Sequence, residues 1–262
     1  MKNFGICLLS LVPMRKEPME KAEMVSQILY GELVEVLENK KGWLSVRMCF
    51  DGYTGWVSER QLHRIDRKAF EQYLRSWTFA STDLIGYVKE DTQKLRFPVT
   101  AGASFPRMLR ANFIVGSFRY SFDGKMNKPH EKPDRRKLIG IARKFLGAPY
   151  LWGGRSPLGL DCSGFVQIVY KMNNIAIKRD AWQQALEGES LSFPEEALPG
   201  DLAFFDDEEG KVVHVGIMLG KGKIIHAAGQ VRIDKLDHHG IFREDDKKYT
   251  HKLRMIKRIL PG

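Results

Sequence analysis

Cysteine is scarce in this chain. Its 262 residues include three cysteines, Cys7, Cys49 and Cys162. Disulfide-stabilised domains are small and cysteine-rich, so this sequence does not encode a disulfide framework. Closely spaced metal-ligand pairs such as Cys-x-x-Cys or His-x-x-x-His are also missing. We therefore expect reduced thiols, one of which can have a special role, and we expect no metal or cofactor.

Long apolar runs are missing as well. No stretch approaches the roughly 18–20 apolar residues that span a bilayer. The segment Phe4 to Val12 is apolar, but it is short, and Arg15 and Lys16 follow without a small-residue cleavage site. We interpret Gly5 to Met14 as the first β-strand of a folded domain instead, and we expect a cytoplasmic monomer without a membrane partner. The alternative is a periplasmic or cell-envelope protein whose signal peptide has been removed.

Positive charge is in excess. The formal net charge of +10 favours an anionic partner, which can be nucleic acid, a membrane or an acidic small substrate. The basic residues are dispersed, and no aromatic-interleaved basic stripe accompanies them. We therefore expect a solvated basic surface and no nucleic-acid partner.

The first 65 residues show short strand patterns separated by turn residues. The predicted strands are Gly5–Val12, Ile28–Tyr30, Leu33–Glu38, Trp43–Met48 and Gly55–Val57. Their spacing is typical of a small β-barrel. The segment also resembles a bacterial SH3-like (SH3b) domain, through Val12-Pro13-Met14-Arg15, Gln27 to Glu32, Gly42-Trp43 and Asp51 to Val57.

Residues 66–130 repeat this pattern less clearly, with predicted strands at Asp83–Glu90, Lys94–Phe97 and Met108–Tyr120. We predict a second, degenerate SH3b domain there, after a first one at residues 1–65. A Pro/Lys-rich linker, Lys128 to Pro133, precedes a third domain at residues 131–262. In that domain Asp134 is placed to cap an amphipathic helix whose core-facing residues run from Leu138 to Leu146.

Cys162 is the special thiol. The apolar spacing of Phe165, Val166 and Val169 predicts a helix that begins at or near it. Backbone N–H groups at a helix N-terminus lower a thiol pKa and can bind a developing oxyanion. A lone cysteine is more often a buried structural residue, but the polar, glycine-rich flanks of Cys162 favour a nucleophile.

Two histidines follow on a predicted hairpin. His214 lies on a strand at Val212–Leu219 and His226 on a strand at Lys223–Ala228. A three-residue loop at Gly220 to Gly222 pairs residue 216 with residue 226 and leaves both imidazoles on one face as diagonal neighbours, about 7–8 Å apart at the backbone. A loop of two or four residues places them on opposite faces. Taken singly, each histidine is interpreted as a structural strand residue whose ring nitrogens are hydrogen-bonded. Zinc binding by Cys162, His214 and His226 is the alternative to a catalytic role.

Residues 134–262 resemble the NlpC/P60 cysteine peptidases of bacterial cell-wall metabolism. The resemblance rests on five motifs in order: Tyr150-x-Trp152-Gly153-Gly154, Asp161-Cys162-Ser163-Gly164-Phe165, Pro199-Gly200-Asp201-Leu202, His214-Val215-Gly216-Ile217 and His226-Ala227. It implies an α+β fold with a papain-like catalytic domain behind one or two SH3-like barrels. It also implies a Cys-His-His triad in which Cys162 is the nucleophile, His214 the base and His226 the residue that orients the base.

With its SH3b segments the chain resembles the dipeptidyl-peptidase VI branch of this family. That branch cuts murein stem peptides between γ-D-glutamate and the following diamino acid, diaminopimelate or lysine, when the preceding L-alanine has a free amine. The resemblance implies that Asp180 binds the substrate ammonium and that Ser163 and an SH3b tyrosine, Tyr53, help close the pocket. Tyr150 is a candidate near the oxyanion, and Arg155 and Arg179 are candidates for substrate carboxylates. The alternatives are a general endopeptidase acting on intact peptidoglycan and a non-catalytic SH3b wall-binding protein.

Overall fold

The computed structural model describes residues 3–109 and 111–260. The fold is α+β, as expected, and the chain divides into two compact units. The first consists of residues 1–131 together with 153–155, and the second of residues 132–152 and 156–262. The predicted division into three domains, with boundaries at residues 65 and 130, stays a prediction.

Seven strands of the first unit form an antiparallel SH3-like sheet in the order β3-β2-β6-β5-β4-β1-β7. They are β1 (Phe4–Ile6), β2 (Leu11–Arg15), β3 (Met24–Leu29), β4 (Leu33–Lys40), β5 (Trp43–Met48), β6 (Thr54–Ser58) and β7 (His63–Ile65). The single strand predicted at Gly5–Val12 is wrong. The chain turns at residues 7–10 because β1 pairs with β4 and β7, whereas β2 pairs with β3 and β6.

Residues 66–130 contain one helix, a four-stranded sheet of order β10-β9-β13-β12 and a two-stranded sheet, β11-β8. The elements are α1 (Arg67–Leu74), β8 (Thr78–Ala80), β9 (Ile85–Glu90), β10 (Leu95–Thr100), β11 (Ser104–Pro106), β12 (Asn112–Val115) and β13 (Phe118–Asp123). The strand predicted at Met108–Tyr120 is thus two strands that pair with each other. Gly116, with φ +60°, lies in the turn between them.

The first unit has a shared aromatic core that the sequence patterns did not indicate. Tyr30, from the first sheet, is fully buried and contacts Phe97, Phe105 and Phe113 of the following sheets at ring-centroid distances of 5.8–6.1 Å. Gly31, with φ +74°, follows it, and a Cβ there would lie 1.7 Å from the Ser104 carbonyl oxygen. Only glycine allows that backbone approach.

Arg155 is fully enclosed in the first unit. It is 1% exposed, and its guanidinium donates to both Glu32 carboxylate oxygens at 2.9 and 3.0 Å. Its backbone N–H donates to Gln27 Oε1 at 2.7 Å. The expectation that Arg155 binds a substrate carboxylate is therefore wrong, because Glu32 already neutralises its charge.

The second unit is built on a seven-stranded sheet of order β16-β22-β17-β18-β19-β20-β21, in which β22 also pairs with β21. The strands of this sheet are β16 (Glu189–Ser190), β17 (Leu202–Asp206), β18 (Val212–Gly220), β19 (Lys223–Ala228), β20 (Gln230–Leu236), β21 (Gly240–Arg243) and β22 (Lys248–Arg258). The short strands β14 (Arg155–Ser156) and β15 (Gly159–Leu160) form a separate two-stranded sheet. Its helices are α2 (Arg135–Lys144), α3 (Cys162–Met172) and α4 (Ala181–Gln184).

Helix α3 packs against β18 and β19 and so brings the start of the helix to the histidine strands. All eleven of its residues are buried. The capping of α2 is as predicted, since Asp134 accepts the Lys137 N–H at 2.6 Å. Leu146, expected in the core, is 45% exposed because it lies beyond the end of α2. In the described part of the chain no helix is long and apolar enough to cross a bilayer.

Candidate active site

The Cys162 thiol lies at the first residue of α3. Asp161 is the N-cap and accepts the Gly164 N–H at 2.7 Å, which fixes the start of the helix at the cysteine. Cys162 itself is 6% exposed, so only a small part of it is open to solvent. The predicted placement of the thiol at a helix N-terminus is confirmed.

A buried ion pair supports this helix start. Arg179, 1% exposed, donates to the two Asp161 carboxylate oxygens at 3.0 and 2.6 Å and to Ser163 Oγ at 2.9 Å. The guanidinium is thus enclosed and bound to the helix cap, and the substrate role of Arg179 stays a prediction. Ser163 is also buried, and its hydroxyl donates to Asp161 Oδ1 at 3.2 Å.

The thiol is not the ready thiolate that its helix position predicts. Burial raises the pKa of Cys162 to about 12 and the Asp161 carboxylate adds to the rise, while the backbone N–H groups of Val215 and Ser163 oppose it. Desolvation of the charged form therefore outweighs the helix N-terminus here. The resting thiol is neutral, and reaction requires a base to take its proton.

That base can come from β18. The pairing of Gly216 with His226 matches the predicted register of the hairpin, and both histidines are buried. The loop, however, has two residues, Lys221 and Gly222, whose φ angles of 52° and 65° suit a type I′ turn. The ladder shifts by one residue between Met218 and Gly220, which restores the shared face that a two-residue loop alone would lose.

The two imidazoles are in direct contact. His214 Nε2 lies 2.8 Å from His226 Nδ1, with the rings nearly perpendicular at 85°. Burial lowers the pKa of His214 well below its usual 6.5, and His251 and His226 lower it further. His214 is thus neutral at physiological pH, which is the protonation state that a general base needs.

Sequence reasoning missed three neighbours of this pair. Asp234 Oδ2, on β20, lies 2.9 Å from His226 Nε2, and Arg232 donates to both Asp234 oxygens at 2.7 and 2.8 Å. His251, on β22, stacks on His214 with ring centroids 4.2 Å apart. His251 has no local signal, because β22 lies far along the chain from β18. Arg232 and Asp234 lie on β20, which directly follows β19 and pairs with it, so a strand prediction extended beyond Ala228 could have found them.

Tyr150 lies close to the thiol. Burial raises the pKa of its hydroxyl to about 12, with further contributions from Cys162 and Asp161. Its backbone N–H donates to the Gly229 carbonyl at 2.9 Å, which ties it to the end of the His226 strand. The protonated hydroxyl is therefore available as a donor beside the reacting sulfur.

Asp180 is half-buried and is the N-cap of α4, where it forms a capping box with Gln183. The Asp180 N–H donates to Gln183 Oε1 at 3.1 Å. Tyr53 belongs to the first unit, where its N–H donates to Asp51 Oδ1 at 2.8 Å and its ring packs on the barrel core. The substrate roles of Asp180, Ser163 and Tyr53 stay predictions.

The side chains of the described residues do not form the kind of ligand group that a metal ion needs. Within residues 3–109 and 111–260, no group of three or more His, Cys, Asp and Glu side chains is arranged to hold an ion. The histidine nitrogens that face each other and Asp234 are instead engaged in hydrogen bonds. The arrangement is that of a hydrogen-bonded imidazole pair on two strands against which the helix of Cys162 packs.

Comparison with known proteins agrees with this chemistry. Residues 147–250 match the NlpC/P60 family, and residues 14–62 match the bacterial dipeptidyl-peptidase Sh3 domain. The chain is also 31% identical over 215 residues to the gamma-D-glutamyl-L-lysine dipeptidyl-peptidase of Bacillus subtilis (strain 168), covering 77% of this chain and 71% of that protein. The chain belongs to the NlpC/P60 family. It is a cysteine peptidase that acts on a peptide substrate.

Two further relatives extend over nearly the whole chain. Dipeptidyl-peptidase 6 of Lysinibacillus sphaericus is 28% identical over 271 residues, covering 92% of this chain and 95% of that protein. The crystal structure of an NlpC/P60 family protein from Bacillus cereus has a TM-score of 0.82 at 22% identity, covering 98% of this chain and 100% of that one. The NlpC/P60 peptidase thus shares its fold with that protein over the matched 98% of the chain.

Proposed function

We propose that this peptidase hydrolyses the γ-D-glutamyl–diamino acid bond of murein stem peptides that begin with a free L-alanine. The observation that carries the proposal is the neutral Cys162 thiol at the start of α3, beside a strand on which His214 is hydrogen-bonded to His226. The names of the two dipeptidyl-peptidase relatives supply the bond and the exopeptidase class.

The reaction is an acyl transfer through a thioester. His214 takes the thiol proton as Cys162 Sγ attacks the γ-glutamyl carbonyl carbon, and the backbone N–H groups at the start of α3 stabilise the oxyanion. The C–N bond then breaks as His214 returns the proton to the leaving amine. Water, deprotonated by His214, hydrolyses the thioester, which releases L-Ala-γ-D-Glu and restores the thiol.

The Tyr150 hydroxyl is suited to donate to the same oxyanion. Its pKa of about 12 keeps it protonated at physiological pH. It therefore adds a neutral donor to the backbone N–H groups, at a position where negative charge develops only in the transition state.

Selectivity for a free amine is assigned to the Asp180 carboxylate, with Ser163 as a further contributor to the pocket. A carboxylate that pairs with a terminal ammonium rejects a stem whose alanine is still bonded to muramic acid, because the charge is then left without its partner. This property separates a recycling enzyme for released peptides from an endopeptidase acting on intact peptidoglycan.

The test is digestion of L-Ala-γ-D-Glu-diamino-acid peptides, followed by mass spectrometry. Cys162→Ala is expected to abolish cleavage, and turnover near the wild-type rate in this variant would exclude Cys162 as the nucleophile. Acetylation of the substrate amine is expected to lower kcat/KM by about 100-fold or more. Equal rates on both peptides would instead indicate a general endopeptidase.

Asp180→Asn sharpens this test because asparagine caps a helix about as well as aspartate. The variant therefore keeps α4 and loses only the charge. Its rate on the free peptide is expected to fall towards that on the acetylated peptide, whose rate is unchanged. Asp180→Ala, which loses both the cap and the charge, serves as the comparison, and retained selectivity in Asp180→Asn would remove Asp180 from the amine site.

A further inference from the structure

A carboxylate beyond the histidine pair determines how that pair is protonated. The His226 ring is held at both nitrogens, Nδ1 by His214 Nε2 at 2.8 Å and Nε2 by Asp234 Oδ2 at 2.9 Å. His226 is 1% exposed and Asp234 is 7% exposed, so water does not replace these partners. An ionised carboxylate only accepts hydrogen bonds.

The protonation of each ring follows in sequence. Because Asp234 only accepts, His226 carries its proton on Nε2 and presents a lone pair at Nδ1. That lone pair requires a donor, so His214 carries its own proton on Nε2. His214 Nδ1 is then left with the lone pair that a general base needs.

The charge of Asp234 is itself secured. Arg232 donates to both carboxylate oxygens, from Nε at 2.7 Å and from Nη2 at 2.8 Å, and also binds Asp245 at 2.7 Å. Burial alone would raise the pKa of Asp234, but the hydrogen bonds from His226 and Arg232 lower it to about 2. The carboxylate is therefore an acceptor throughout the working range of pH.

We propose that Asp234 is a positioning residue that sets the tautomers of both His226 and His214 and thereby keeps the base ready for the thiol. This inference rests on the proposed Cys162, His214 and His226 triad. Asp234 does not touch the substrate; it acts through His226, with Arg232 holding its carboxylate in place.

The isosteric change Asp234→Asn tests this assignment. An amide cannot satisfy both the Arg232 fork and the His226 N–H, since one of its two positions is now a donor. The expected result is a fall in kcat of at least about tenfold with KM within about twofold, in line with the effect of losing an orienting partner. Asp237→Asn removes a neighbouring carboxylate that instead accepts from the Tyr249 hydroxyl at 2.6 Å, and it is expected to leave kcat unchanged.

A spectroscopic readout separates positioning from mere folding. In ¹⁵N-labelled protein, long-range ¹H–¹⁵N spectra report which ring nitrogen carries the proton, and His226→Gln identifies the His226 signals. Nε2–H is expected for His214 and His226 in the wild type, with mixed tautomers in Asp234→Asn. Nδ1–H at His226 in the wild type, or unchanged tautomers in the variant, would overturn the proposal.

A double-variant cycle closes the test. If Asp234 acts through His226, Asp234→Asn costs little further activity in a His226→Gln background. An equal loss in both backgrounds would show an independent role and contradict the proposal. The tautomer measurement needs no turnover, so it remains decisive even if Cys162→Ala shows that the nucleophile lies elsewhere.

Discussion

At the scale of single residues, the site combines two groups whose burial makes both neutral. Desolvation raises the pKa of Cys162 to about 12 and lowers that of His214 well below 6.5. A thiolate–imidazolium pair is thus disfavoured before substrate binds.

This state predicts an unusual tolerance of acid. With an ordinary histidine pKa of 6.5, only about one-tenth of His214 would be neutral at pH 5.5. Because burial and the facing rings of His251 and His226 lower its pKa, the neutral base is retained, and kcat/KM at pH 5.5 is expected to lie within about twofold of the value at pH 7.5. The check is a pH–rate profile.

The lowered pKa of His214 preserves activity in acid but reduces the stability of the folded chain there. The unfolded chain protonates this histidine near pH 6.5 while the folded chain does not, so the free energy of unfolding falls as the pH drops below 6.5. His130→Gln, a change in the first unit, is the control and should leave the rate profile unaltered. A tenfold loss of kcat/KM at pH 5.5 would show that His214 titrates normally.

At the scale of elements, the hairpin of β18 and β19 depends on a glycine. Gly216 lies opposite His226, and a Cβ at residue 216 would be 2.6 Å from Ile224 Cδ1 and 2.8 Å from His226 Cβ. The second contact is with the β-carbon of His226, which cannot move unless the backbone of its strand also moves. Alanine here would therefore displace the imidazole that orients the base.

Gly216→Ala is accordingly expected to lower the free energy of unfolding by about 1–3 kcal/mol, seen as a lower midpoint of thermal unfolding. It is also expected to lower kcat. The matched control is Gly140→Ala in α2, where the new Cβ meets nothing within 4 Å. That change should raise stability by about 0.5–1 kcal/mol, because alanine is the better helix former. Wild-type kcat in Gly216→Ala would show that the strands adjust without moving His226.

The local elements were largely predictable, and the tertiary neighbours were not. Capping and apolar spacing placed α2 and α3, alternation placed β5, and an apolar run after a turn placed β19. The register of the two histidines followed from chain parity. His251 could not be found this way, since its approach depends on the distant strand β22 joining the same sheet. Asp234 was missed because the predicted strands stopped at Ala228, before β20. The pKa of Cys162 also escaped prediction, because burial is a property of the whole fold.

At the scale of the whole molecule, one buried ion pair joins residues far apart in the chain. Arg155 and Glu32 are separated by 123 positions, and their side chains are 1% and 2% exposed. Such a pair contributes little net stability when intact, but removing one partner leaves an uncompensated buried charge. The first unit therefore depends on a residue supplied from well beyond its own continuous segment.

Glu32→Gln is expected to lower the free energy of unfolding by about 3–5 kcal/mol, as measured by urea denaturation. Glu35→Gln is the matched control on the same barrel, since Glu35 pairs with Arg47 at 3.3 Å with 42% and 51% of the side chains exposed. An exposed pair of this kind contributes about 1 kcal/mol or less. Similar losses of unfolding free energy in both variants would mean that the buried pair matters no more to stability than the exposed one.

The one-residue shift between Met218 and Gly220 limits which changes of length the hairpin can accept. Side chains alternate between faces along a strand, so a single residue added or deleted between His214 and His226 would turn one imidazole away from the other unless a bulge is gained or lost with it. A change of two residues keeps both imidazoles on one face without any change of bulge. Odd changes in the length of this turn are therefore compatible with the histidine pair only when the bulge changes too, whatever residues are inserted.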